Sequence, residues 1–97
     1  MSETTLIPLS PLPNQIFTLQ LQNHLLKLHL YQRTYGLFLD LWIDNVLTLA
    51  GRLCLNNTFL LQDKAAPLNG DFIFIDSEGS EDPDYTELGS RFKLYFK

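Results

Sequence analysis

The sequence predicts an all-β fold: a small antiparallel β-sandwich or barrel, built on an N-terminal meander, with one short helical turn before the last strand. Apolar and polar residues alternate with a period of two through much of residues 17–43, which is typical of half-buried strands. Residues that favour tight turns separate these alternating runs. One sheet could not bury so many leucines and phenylalanines, so we expect a second layer.

The composition is that of one globular domain, because 97 residues with 45% hydrophobic content suffice for one modest core. The net charge of −4 comes without a basic patch, which argues against nucleic-acid binding. No apolar run approaches the roughly 20 residues that span a bilayer, and the first residues do not form a secretory signal. We therefore expect synthesis in the cytoplasm and no membrane contact. Cys54 is the only cysteine, which excludes an internal disulfide and a cysteine zinc cluster.

Residues 15–46 are predicted to form three strands joined by two turns, with a third turn leading into a fourth strand. We place the turns at residues 22–23, 33–36 and 44–45, where asparagine and glycine tolerate positive φ. This register keeps apolar residues opposite apolar residues on one face, which supports a meander. The predicted cross-strand pairs are Phe17 with Leu28, Leu19 with Leu26, Leu28 with Leu41, Leu30 with Leu39, Ile43 with Val46, His29 with Asp40 and Lys27 with Trp42.

The segment that follows the meander is less regular. Residues 46–50 predict a short strand that Gly51 interrupts, and residues 52–55 are either a further strand or a bend. We interpret residues 58–62 as another strand. Residues 72–75 are apolar on both faces, which is typical of a central strand.

The C-terminal part carries helix punctuation followed by a final strand. Asp82 suits the N-cap of a short helical turn, Pro83 its first position, and Gly89 the position past its end. We expect this turn to span residues 82–88 and to position the last strand. Residues 91–96 alternate in hydrophobicity and predict that strand.

Residues 1–14 are predicted to form an extended, proline-rich N-terminal arm beside a single β domain of residues 15–97. The prolines fix φ and remove backbone donors, so the arm should be extended rather than helical. Such a short arm cannot form a core alone, and we expect it to contact a partner. The predicted contact residues are Leu6, Ile7, Pro8, Leu9, Pro11, Leu12 and Pro13 of the arm, together with Asp82, Asp84 and Tyr85.

No catalytic or metal-binding set has a recognisable spacing in this sequence. His24 and His29 lie on opposite sides of a strand pattern, so they cannot share a metal. The acidic residues within 76–87 lack the alternating ligands and the turn glycine of a calcium loop. Cys54 has no activating neighbours in sequence and suits a small core residue. We therefore expect no enzyme activity, no cofactor, no metal and no small-molecule substrate.

A second group of apolar residues forms another face of the predicted strands. It comprises Phe38, Trp42, Leu47 and Leu49. We expect a second layer of the same domain to cover this group, because large uncovered apolar patches are rare on monomeric soluble proteins. A partner-binding face is the alternative.

Three segments carry a more specific pattern, and their order and spacing extend over nearly the whole chain. The last is the most distinctive: an acidic residue and proline, a tyrosine, an acidic residue before Leu-Gly, and a strand ending in an aromatic residue. Together they resemble the phage baseplate plug family, small proteins of contractile-tailed phages named after a cyanophage baseplate component. The segments are Pro8-Leu9-Ser10-Pro11-Leu12-Pro13-Asn14-Gln15-Ile16-Phe17, Asp71-Phe72-Ile73-Phe74-Ile75-Asp76 and Asp82-Pro83-Asp84-Tyr85-Thr86-Glu87-Leu88-Gly89-Ser90-Arg91-Phe92-Lys93-Leu94-Tyr95-Phe96.

The resemblance implies a virion structural protein, a plug-like component of a contractile phage tail baseplate. It implies synthesis in the cytoplasm of the host bacterium and docking against other baseplate or tail-tube proteins, and it leaves self-association in a ring open. It implies no catalytic residues. The fold class alone leaves a small ligand- or carbohydrate-binding β-module as the alternative function.

Overall fold

The computed structural model describes residues 4–63 and 66–97, which form two antiparallel sheets. The larger sheet has the strand order β2-β3-β4-β5, the smaller one has the order β1-β7-β6, and the two do not join into a closed barrel. The prediction of an all-β, two-layered fold is therefore confirmed. The strands are β1 (Thr5–Ile7), β2 (Asn14–Leu21), β3 (His24–Arg33), β4 (Gly36–Ile43), β5 (Val46–Leu53), β6 (Phe72–Asp76) and β7 (Phe92–Phe96), with a 3-10 turn at Tyr85–Glu87.

The hydrophobic core is built from one face of each sheet. Burial alternates residue by residue along β4 and β7, as expected for strands that bury one face. Burying one leucine or phenylalanine side chain fully stabilises the fold by about 1.5–3 kcal/mol relative to leaving it exposed. The larger sheet contributes Leu26, Leu28, Leu30, Leu37, Leu39, Leu41 and Ile43, and the smaller sheet contributes Ile7, Phe72, Phe74, Phe92, Leu94 and Phe96.

The meander has the register that the sequence predicts, and each of the seven predicted cross-strand pairs is present. Gln22 and Asn23 form a two-residue turn with φ values of 54° and 65°, and Asp44 and Asn45 form another with 49° and 67°. Positive φ at both positions matches the twist of the flanking strands. The second loop is shorter than predicted, because Arg33 already pairs with Gly36.

β5 runs unbroken from Val46 to Leu53, so the prediction that Gly51 interrupts a short strand is wrong. Leu39 pairs with Arg52 and Leu41 with Leu49, which leaves Asp40 opposite two residues of β5. This is a β-bulge, and Gly51 occupies it with a φ of 62°. The bulge allows Gly51 to adopt a positive φ without ending the strand.

Residues 58–62 do not form the predicted strand. Phe59 makes only an isolated bridge to Ile73. The backbone N–H groups of Leu61 and Gln62 donate to the Asp71 carboxylate, at 2.7 and 2.8 Å, instead of to a neighbouring strand. A side-chain acceptor has therefore replaced the backbone ladder that the pattern predicted.

β6 is an edge strand, so the prediction of a central strand at residues 72–75 is wrong, and β7 is central instead. The loop beside β6 covers its free edge. The Leu60 N–H donates to the Phe72 carbonyl at 2.9 Å, and the Asn57 N–H donates to the Phe74 carbonyl at 2.7 Å. Burial on both faces therefore reflects coverage by a loop rather than a central place in the sheet.

The N-terminal arm is in part a strand of the domain itself. β1 pairs with β7, Ile7 is buried in the core, and Leu9 packs against that core. Residues 5–7 of the predicted arm are therefore a strand of the smaller sheet. The free edge of β7 is available within the same chain, and pairing there avoids the entropy lost when two molecules associate. Met1 to Glu3 lie outside the described residues.

The predicted short turn before the last strand is present, but its cap differs. The 3-10 turn spans Tyr85–Glu87, and Asp84 is the N-cap, because its carboxylate accepts a hydrogen bond from the Thr86 N–H at 2.8 Å. Asp82, the predicted cap, accepts from the Asn56 N–H at 2.9 Å instead. Gly89 follows the turn with a φ of 85°, as its predicted position past the end requires.

Asp76 joins the acidic loop to the start of β7. Arg91 forms a two-pronged ion pair with it, with Nε 2.8 Å from Oδ1 and Nη2 2.9 Å from Oδ2. The same carboxylate accepts from the backbone N–H groups of Glu78 and Glu81. The Arg91 guanidinium, together with these N–H donors, holds the pKa of Asp76 well below its usual range.

Alanine substitutions at two glycines distinguish the destabilisation caused by positive φ from that caused by a steric clash. In Gly51→Ala the new Cβ meets nothing closer than the Tyr31 hydroxyl at 3.8 Å, so we expect a loss of about 1 kcal/mol from φ alone. In Gly89→Ala it would lie 2.4 Å from the Leu9 carbonyl oxygen, so the loss should be clearly larger. Urea denaturation measures both free energies of unfolding, and equal losses would contradict the close packing of Leu9 on Gly89.

Acid should weaken the fold through Asp76. A carboxyl with a lowered pKa in the folded state stabilises the protein above its unfolded-state pKa, and this contribution is lost as the pH falls. We expect the free energy of unfolding to drop below about pH 4, where the unfolded aspartate takes up a proton. Asp76→Asn should be less stable at pH 7 and should show a shallower loss on acidification, measured by urea denaturation at several pH values.

Glu78→Gln is the matched control for that measurement. It removes one carboxylate from the same loop, and only the backbone of Glu78, not its side chain, contacts Asp76. We expect it to keep the pH dependence of the unchanged protein. An Asp76→Asn variant with the same slope between pH 5 and pH 2 would refute the role of the ion pair.

Candidate functional site

The four-stranded sheet has an outer face that turns away from the core. We define the outer face by the residues that point outward from β2–β5, and none of them belongs to the core cluster. Their hydrogen bonds, ion pairs and ring contacts stay within the sheet, as far as the described residues show. The residues of the outer face are Ile16, Thr18, Gln20, Leu25, Lys27, His29, Tyr31, Arg33, Phe38, Asp40, Trp42, Leu47 and Leu53.

The structure corrects the prediction that a second layer of the domain covers the second apolar group. Phe38 and Trp42 are only partly buried, and Leu47 is 52% exposed. Leu49 differs from the other three because it packs against the core. A register shift next to Leu41 places an extra residue in β5, so Leu47 and Leu49 point to opposite faces although they are two residues apart.

A polar network fixes the middle of the outer face. The Asp40 carboxylate accepts from the Gly51 N–H at 2.6 Å and from the Tyr31 hydroxyl at 3.1 Å. His29 bridges two strands, with Nδ1 3.5 Å from Asp40 and Nε2 2.9 Å from the Asn14 side-chain oxygen. Burial and the hydrogen bond to Asp40 raise the pKa of Tyr31, so its hydroxyl remains a donor.

Aromatic rings and cations lie next to this network. The Lys27 ammonium is 4.5 Å from the centre of the Trp42 ring, so this predicted cross-strand pair is also a cation–π contact. The Arg33 guanidinium lies 4.7 Å from the Tyr31 ring, and that ring stacks on Phe38 at 5.9 Å. The outer face is therefore an aromatic surface held in place by its neighbours and bordered by positive charge. Tyrosine, tryptophan and arginine are the residues enriched in protein–protein contacts.

The structure distributes the predicted contact residues of the arm between the core and the surface. Ile7 is buried and Leu9 is half-buried, so these two serve the fold of their own chain. Leu6 is 54% exposed and Leu12 is 49% exposed, and both are accessible to a partner. The exposed prolines of the arm are Pro8, Pro11 and Pro13.

The other predicted contact residues have roles inside the chain. Asp82 and Asp84 accept hydrogen bonds from backbone N–H groups. Tyr85 packs against the core, and its N–H donates to the Gln32 side chain at 3.1 Å. None of the three bonds to a residue of the outer face, and their contact with a partner stays a prediction.

The described residues form no metal-binding group and no activated cysteine nucleophile. They contain no group of three or more histidine, cysteine, aspartate or glutamate side chains that could hold a metal. Burial raises the pKa of the Cys54 thiol to about 12, which agrees with a core residue rather than a nucleophile. Within the same residues, no helix has the length and apolar character needed to cross a membrane.

An open cavity of about 530 Å³ lies beside the loop that precedes β6. Phe59 and Asp71 line it, but the Asp71 carboxylate already accepts three backbone N–H groups, from Leu61, Gln62 and Phe72. That carboxylate is therefore engaged in holding the loop. Among the described residues that line the cavity, Phe59 is the one aromatic side chain, so they supply no pair of flanking aromatics for a sugar.

Sequence reasoning placed the interaction surface in the arm and overlooked part of the outer face. Tyr31, Arg33 and Asp40 were not predicted as contact residues. A signal was present, because the positions that alternate with the core leucines of the meander carry aromatic residues where water-facing strands usually carry polar ones.

Comparison with known proteins gives one family match for this sequence. No curated protein matches the chain. The sequence model of a family described as "Cyanophage baseplate Pam3 plug gp18" matches residues 4–97, which is nearly the whole chain. This is a family of baseplate structural proteins and not of enzymes. The chain therefore belongs to the cyanophage baseplate plug family and is a structural component of a phage virion tail.

Proposed function

We propose that this protein works as a plug-like component that docks against other baseplate or tail-tube proteins through its outer face. The supporting observation is that the aromatic surface of β2–β5 has no cover within the described part of its own chain. Trp42, Phe38 and Leu47 would lose their remaining exposed area on docking, and apolar burial contributes about 25 cal/mol per Å². Phe38 stacks on Tyr31, whose hydroxyl donates to Asp40. The Lys27 ammonium lies over the Trp42 ring. These contacts restrict the two aromatic rings before binding, which lowers the entropy lost on docking.

The charges of the outer face indicate the chemistry of the partner surface. Lys27 and Arg33 lie over aromatic rings, whereas the nearby Asp40 carboxylate is already engaged by three groups of its own chain. The face therefore presents apolar area and net positive charge. A partner surface with an apolar centre and carboxylates around it complements this pattern.

The N-terminal arm is a second candidate contact. Leu6 and Leu12 are the exposed apolar side chains that flank the buried anchor Ile7. Deleting residues 2–13 would remove β1 and a core side chain along with these leucines, so loss of function would not distinguish docking from folding. Point variants at exposed positions separate the two.

Leu47→Glu tests the outer face. Leu47 is exposed beside Trp42, so the variant should fold, but it places a negative charge where the proposed partner is acidic. We expect incorporation into phage particles to fall roughly tenfold or more, a loss of about 1.4 kcal/mol or more in docking free energy. Incorporation is measured by quantitative immunoblot of purified particles, after circular dichroism confirms an unchanged fold.

Tyr35→Glu is the matched control, because Tyr35 is 90% exposed at the tip of the β3–β4 hairpin and outside the outer face. It should incorporate normally. The double variant Leu6→Glu and Leu12→Glu tests the arm in the same assay. Normal incorporation of a folded Leu47→Glu protein would contradict docking through the outer face.

A further inference from the structure

β2 is an edge strand without the features that usually keep edges from pairing. Its eight residues, Asn14 to Leu21, include no charged side chain and no proline, and its ladder with β3 has no register shift. The opposite edge of the same sheet differs. β5 carries two register shifts and the charged residue Arg52. Natural proteins protect edges with charges, prolines and bulges, so the bare edge of β2 requires another explanation.

The free backbone groups of β2 can be assigned from the turn that follows it. A two-residue hairpin makes the flanking pair, Leu21 and His24, exchange both hydrogen bonds. The hydrogen-bonded positions then alternate back along the strand. The N–H and carbonyl groups of Ile16, Thr18 and Gln20 therefore point away from β3, and they meet no hydrogen-bonding partner in residues 4–63 and 66–97.

We propose that a second copy of this chain pairs with β2 along that edge. The two β2 strands would lie antiparallel around a two-fold axis at Thr18. The four-stranded sheets of the two copies then form one continuous sheet. In this register Ile16 faces Gln20 of the second copy and Thr18 faces Thr18. All of these positions have outward-pointing backbone groups, so the pairs exchange hydrogen bonds in both directions.

The side chains of β2 are complementary to themselves in this arrangement. On the outer face the two threonines lie directly opposite each other at the axis, a favourable cross-strand pair. On the core side Phe17 of one copy faces Leu19 of the other, and both are half-buried at the rim of the core. The strand has no charge, so two copies approach without repulsion.

The outer faces of the two copies lie on the same side of the joined sheet, because the two-fold axis is perpendicular to it. The pairing therefore goes beyond docking through a single outer face and doubles the surface offered to the baseplate. The proposed pairing rests on the β2 edge alone. A failure of the pairing would leave the docking proposal intact.

The test is the mass of the purified protein in solution. Sedimentation equilibrium should give twice the 11.2 kDa of one chain at micromolar concentration. Thr18→Lys places a charge at the axis and should halve that mass, and so should Ile16→Lys at a position that is 62% exposed. Thr48→Lys, on the opposite edge strand, should remain a dimer. A single-chain mass for the unchanged protein, or a dimer unaffected by Thr18→Lys, would overturn the proposal.

The register has its own test. Opposite residues of a hydrogen-bonded antiparallel pair have Cα and Cβ atoms about 5.5 Å apart, so their Cβ atoms are too far apart for an unstrained disulfide but within reach of a short bis-maleimide. Thr18→Cys should therefore form covalent dimers with this cross-linker, whereas Thr48→Cys should not, and the buried Cys54 should stay unmodified. Absence of the Thr18 cross-link would exclude an axis at this residue. A monomeric protein whose Thr18→Lys variant alone fails to enter particles would replace the second copy with a strand from another baseplate protein.

Discussion

The alternating leucines of β3 and β4 are the constraint on which the rest of this fold depends. Leu26, Leu28 and Leu30 face the core from one strand, and the leucines of β4 do so from the next. A register shift of one residue in either strand would point all of its core leucines toward the solvent. The tight turns keep this register. The same alternation sends the intervening residues outward, so the aromatic outer face follows from the packing of the core.

Aspartate side chains stabilise the irregular parts of the chain, which lack the hydrogen bonds of a strand ladder. Asp71 binds the backbone of the loop before it, Asp76 binds the loop after β6, and Asp84 caps the 3-10 turn. Asp40 binds the backbone of a bulge. Irregular backbone leaves N–H groups without carbonyl partners, and a carboxylate can accept several of them. The acidic character of the chain thus has a structural explanation, and these carboxylates are not gathered around a catalytic or metal centre within the described residues.

The sequence predicted the meander well because its determinants are local. Turn residues and a period of two lie within a few residues of each other, so the pairing of Leu19 with Leu26 could be derived directly. Other features depend on distant partners. The sequence around β1 suggested a free arm because its partner strand, β7, lies at the other end of the chain. Residues on both faces of β6 are apolar in the sequence. That pattern fits a central strand and an edge strand covered by a loop equally well. Asp82 and Asp84 are equally good caps in sequence, and the position of Asn56 decides between them.

The pairing of β1 with β7 also sets the order in which the domain can form. Thr5 lies opposite Phe96, so the smaller sheet joins the first described strand to the last. The meander can assemble from neighbouring segments as they leave the ribosome, whereas the smaller sheet must wait for β7, which is its centre. Until then the core face of the meander has no cover. We therefore expect a chain interrupted before β7 to expose its core leucines, as partly folded chains that attract chaperones and proteases do.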